Sequence, residues 1–102
     1  MKRLKPSFVS ALANFIDAHS HQDAIENEAT LKLIVNELEY AANHSVGMVL
    51  FPDQQNPSVF TGGYRYEGLI GGEIYNVIAS IDDFEDLEDK YERRQTHPIS
   101  RS

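Results

Sequence analysis

The stretch EIYNVIASIDDFEDLEDKY, Glu73 to Tyr91, decides the fold because its apolar residues can be read with two different periods. Ile74, Val77, Ile78, Ile81, Phe84, Leu87 and Tyr91 recur every three or four residues, which predicts a long helix ending near Arg94. A competing reading makes Glu73 to Ala79 a strand and uses Ser80 to cap a shorter helix from Ile81, because Ser80 and Asp83 stand at capping-box spacing. The run of helical spacings favours the continuous helix.

Just upstream, Gly62, Gly63, Gly68, Gly71 and Gly72 crowd into eleven residues and predict a tightly turning or mobile bend. Before them, Val46 to Phe51 is a short apolar run, too brief for a helix and ended by Pro52. Asp53 to Pro57 is a polar turn cluster, and Ser58 to Thr61 reads as a return strand, so a two-stranded hairpin is expected. Two strands alone are marginal in water, so this ribbon must pack on helices or pair with another copy of itself.

The N-terminal half is helical in pattern. Phe8, Leu12, Phe15 and Ile16 follow Ser7 at spacings that line one face of a helix over about 7–18, with Pro6 limiting its upstream extension. His19 to Gln22 is a polar connection. From Asp23, residues Ile25, Ala29, Ile34, Leu38, Ala41 and Ala42 keep helical spacing as far as His44, and Leu31 and Val35 widen the stripe. Two amphipathic helices joined by a short loop predict an antiparallel pair burying Phe15 and Ile16 against Ile34 and Leu38. The expected class is therefore α+β: a helical hairpin, a two-stranded β-hairpin and a long acidic C-terminal helix around one core.

At 102 residues and 41% hydrophobic content the chain suits one domain, taken as 1–94, with 95–102 as a flexible tail. The absence of cysteine excludes disulfides, thiolate ligands and thiol nucleophiles, and fits a reducing compartment such as the cytoplasm. Lys2, Arg3 and Lys5 imitate the start of a signal peptide, but Asn14, Asp17, His19 and His21 interrupt the apolar stretch such a peptide needs. No apolar run nears the roughly 20 residues of a membrane helix. A soluble, untargeted protein is expected.

Charge carries the functional expectation. Residues 6–89 hold fifteen acidic side chains against two basic ones, Lys32 and Arg65, while both ends of the chain are basic; the net charge is −7. A field of that sign repels nucleic acid and anionic membrane and attracts basic surfaces. On the expected helix Asp82, Glu85, Asp86 and Asp89 share one side, with Asp83 and Glu88 beside them, and such a row could imitate phosphates to a nucleic-acid-binding protein. The alternative is a solvated helix face. Tyr64, Arg65, Tyr66 and Tyr91 are of the types enriched at interface hot spots and are the expected anchors, although Tyr64, Arg65 and Tyr66 could equally cap the core.

Other chemistries find less support. His19 and His21, with Asp17 and Asp23, could hold zinc or a related metal, but no motif ties His44 or His97 to them. No stretch has the ligand order of an EF-hand. The glycine cluster lacks the Gly-Lys-Ser/Thr ending of a phosphate loop, and no nucleophile elbow is present. The sequence thus reads as a small acidic interaction protein, not an enzyme, needing no cofactor, that binds and inhibits or regulates a basic, nucleic-acid-processing protein in the manner of anti-defence, immunity or antitoxin proteins. A small enzyme or metal-dependent binder using His19 and His21, and a structural homodimer, are the alternatives.

Overall fold

The computed structural model describes residues 1–87. Strand β1 (Lys2–Leu4) leads into helix α1 (Pro6–His19) and helix α2 (Ala24–His44), followed by β2 (Val49–Pro52), β3 (Phe60–Ile70) and β4 (Glu73–Ser80). A 3₁₀ turn at Ile81–Asp83 then passes into β5 (Phe84–Asp86). The α+β class is as expected, and the expected long helix is not: Glu73–Ser80 is a strand, and 88–94 lies outside the described residues.

Local chemistry decides that outcome at Ser80. Its hydroxyl accepts from the Asp82 amide, while the Asp83 carboxylate accepts the Ser80 N–H at 2.8 Å, completing a capping box. A cap of this kind contributes about 1 kcal/mol and starts a helical turn where a continuous helix would run through. The turn closes after three residues because Phe84 returns to extended backbone and its N–H bonds to Ile81 O.

The helices match the spacing closely. Pro6 occupies the first turn of α1, where its missing N–H costs nothing, so it begins the helix and Lys5 is the N-cap residue. Asp23 caps α2 by accepting from the Glu26 amide at 2.8 Å. The helices run antiparallel: the chain entering α1 bonds Glu39 and Asn43 near the end of α2, while Asp17 near the end of α1 accepts from Asn27 near the start of α2. Ile16, Ile34 and Leu38 are fully buried between these layers, whereas Phe15 is half-buried and stacks on His19 and, edge-on, on Tyr75.

The larger sheet has three strands in the order β2-β3-β4, all antiparallel, where a two-stranded ribbon was expected. Strand β3 runs straight through Gly62, Gly63 and Gly68, so the bend is confined to Gly71 and Gly72. Both have positive φ, 61° and 92°, the backbone of a two-residue type I′ hairpin, and Ile70 pairs with Glu73 across it. Tyr64, Tyr66 and Ile70 from β3, with Val77 and Ala79 from β4, point at the helices and complete the core.

A second, two-stranded sheet goes beyond the sequence expectation. β1 pairs antiparallel with β5, setting Lys2 opposite Asp86, Arg3 opposite Glu85 and Leu4 opposite Phe84. Leu4 and Phe84 are buried, so this ribbon closes one end of the core. Asn43 fastens it to α2 with both halves of its amide, accepting from the Lys2 N–H at 2.7 Å and donating to the Lys2 carbonyl at 2.9 Å.

Candidate interaction surface

The acidic run does not form one row. Asp82 is exposed on the 3₁₀ turn; Asp83 is spent on the capping box. Glu85 and Asp86 lie on β5, where neighbouring side chains point to opposite sheet faces. Asp86 accepts from the N-terminal ammonium at 3.1 Å, and Glu85 faces Arg3 across the ribbon. The basic start of the chain is thus folded beside its acidic run, while the Arg3 guanidinium pairs with Glu39 on α2 at 3.4 Å. Glu88, Asp89 and Tyr91 lie outside the described residues.

Among the expected anchors, strand alternation separates Arg65 from its neighbours. Tyr64 and Tyr66 are buried against the helices, Tyr64 edge-on to Phe84 with ring centroids 6.0 Å apart, so neither can reach a partner without leaving the core. Arg65 points the other way and is exposed.

That other face of the sheet was not legible as a surface, and it carries exposed apolar residues beside Arg65. Among the described residues the helices pack on the face that carries Tyr64, Tyr66 and Ile70. On the far face Leu69 pairs with Ile74, Glu67 with Asn76 and Arg65 with Ile78; Leu69 is 60% exposed, Ile74 71% and Ile78 42%. At the β2 end of this face the Phe51 ring lies over Gly63. A groove of about 700 Å³ runs from there to α1, lined by Phe8, Phe51, Ile78 and the carboxylates of Asp53 and Asp82. The signal was present in the sequence as Ile74 and Ile78 on one face, with Asn76 between them, against Tyr75, Val77 and Ala79 on the other, once the segment is taken as a strand.

Asp17, His19, His21 and Asp23 are exposed, and three of them have local partners. Nδ1 of His19 lies 3.0 Å from the Phe15 carbonyl oxygen, Asp23 caps α2 and Asp17 accepts from Asn27. Among the described residues no three His, Asp or Glu side chains gather in a metal-binding group. No helix among them is long and apolar enough to cross a membrane. Compared with protein-family models, curated proteins and solved structures, the chain matches none.

Proposed function

We propose that this chain is a small acidic interaction protein that works in the cytoplasm by binding a basic protein, most readily a nucleic-acid-processing one, and inhibiting or regulating it without catalysis. The observation that supports this is the charge: −7 overall, with no charged residue among the buried ones and most of the described carboxylates exposed. A field of that kind accelerates encounter with a basic surface and sets its orientation, while contact area fixes the complex.

The fold narrows which carboxylates do this. Asp83 and Asp86 hold the turn and the N-terminus, so their replacement would disturb structure as well as field. Asp82 is exposed, and it stands at the rim of the groove whose floor is Phe8, Phe51 and Ile78. Its backbone N–H, not its carboxylate, serves the Ser80 cap, so the side chain can be changed without breaking the turn. Asp82→Lys is expected to slow association with the basic partner about 5- to 10-fold at low salt, with little change in the dissociation rate. Stopped-flow or surface-plasmon kinetics at two salt concentrations measure this; an association rate indifferent to the variant and to salt contradicts electrostatic steering. Self-association is a second component of the proposed function, favoured by the uncovered apolar face of the sheet.

A further inference from the structure

We infer that two copies of the chain pack sheet to sheet through the uncovered face of β3 and β4, with Arg65 of each copy set against Glu67 of the other. Charge identifies the occupant. Bodies this acidic repel one another over most of their surface, and Arg65 is one of only two basic residues between 6 and 89. It stands on this face two positions from Glu67, and among the described residues neither side chain makes an ion pair. The face thus carries one charge of each sign at its middle, Arg65 and Glu67, with Leu69 and Ile74 at one end and the Phe51 ring, beside Asp53 and Asp82, at the other.

A twofold axis makes that arrangement self-complementary, because in an isologous contact residue i meets j and j meets i. An axis lying between the sheets, across the strands at Tyr66 and Val77, brings Arg65 over Glu67 of the second copy, and Glu67 over its Arg65. By the same register it carries Leu69 to the level of Gly63 and Ile74 to the level of Ser80. Leu69 and Ile74 at one end of the face therefore come opposite Gly63, under the Phe51 ring, and Ser80 at the other.

Packed sheets lie about 10 Å apart and turn about 30° relative to each other. The Arg65 and Glu67 pairs sit beside the axis and are hardly displaced by that rotation. Leu69 and Ile74, about 10 Å from it, swing about 5 Å sideways, about one strand spacing.

Charge exchange tests this in the full chain. By sedimentation equilibrium the wild type, 11.5 kDa per copy, is expected to be a dimer. Arg65→Glu and Glu67→Arg each place two like-charge pairs at the centre and are expected to weaken the dimer at least about tenfold. An equimolar mixture of the two variants restores opposite charges at both contacts and is expected to give a 1:1 heterodimer by native mass spectrometry. The double variant Arg65→Glu/Glu67→Arg regains the homodimer, and far-UV circular dichroism confirms folding of each protein. A wild type that stays monomeric at about 100 μM, well above the range of a specific interface, overturns the inference. So do single variants that dimerise like the wild type, or a mixture that forms no heterodimer. A monomer that still captures a basic partner salt-sensitively removes this inference alone and leaves the proposed function standing.

Discussion

Ile34→Ala is expected to lower the free energy of unfolding by about 3 kcal/mol, within the range of about 2–5 for truncating a fully buried aliphatic side chain. Ile34 is 0% exposed, on the face of α2 that carries Leu38 and Ala42 one and two turns on, and it packs in the cluster that joins both helices to β3 and β4. Its loss removes transfer energy and leaves a cavity that the crossing layers cannot close by moving one element. A domain of this size holds only about 5–10 kcal/mol, so the variant keeps about half of its stability. Ile25→Ala on the same helix, 80% exposed, is expected to change it by less than about 0.5 kcal/mol. Urea titration followed by circular dichroism checks both, and equal midpoints would contradict a core centred on Ile34.

Gly63→Ala is expected to be nearly as damaging although it adds only a methyl group. A Cβ at this position meets the Ala79 carbonyl oxygen, stands 2.8 Å from the Phe51 ring and 3.0 Å from Ser80 Cα. Two of these three obstacles are backbone of β4, so relief requires opening the β3–β4 ladder where Gly63 pairs with Ser80. Overpacking of this kind costs about 1–3 kcal/mol. Because the strain falls beside the Ser80 cap, amide exchange is expected to accelerate at 78–83 before it does in the helices. Unchanged stability and unchanged exchange would contradict the pairing of Gly63 with Ser80.

The helical half of the fold is legible because each helix buries one stripe and begins at a chemically distinct residue, Pro6 and Asp23. The β half is not, and β4 shows why. A half-buried strand announces itself by alternation, but Ile74 and Ile78 on the open face are as apolar as Val77 and Ala79 on the covered one. Apolar residues on both faces erase the period of two and leave spacings of three and four that imitate a helix. The same uncovered face that carries the inferred dimer contact is thus what disguised the strand. β1 escaped for a different reason: three residues with Leu4 alone buried carry no period at all.

The glycine cluster misled by number. Five glycines suggest flexibility, yet within the cluster only Gly71 and Gly72 adopt the positive φ that a turn requires, and Gly63 is there because β4 and Phe51 come too close for a side chain. The charged residues were legible in sign and not in employment. Segregated charge along the chain indicated an acidic body, and the fold then set the basic start beside part of the acidic run, Lys2 opposite Asp86 and Arg3 opposite Glu85. Tyr64 and Tyr66 belong to the core by strand alternation alone, which a helix-and-bend reading of the neighbouring segment could not supply.

Whether the chain acts by binding a basic protein can be read from capture in the native host's lysate with untagged protein at low and at high salt, and mass spectrometry of the retained proteins. One dominant basic protein is expected, held at low salt, released at high salt, and held less by the Asp82→Lys variant. Retention of nothing specific at either salt, or of a protein whose binding ignores both salt and the variant, would contradict that function.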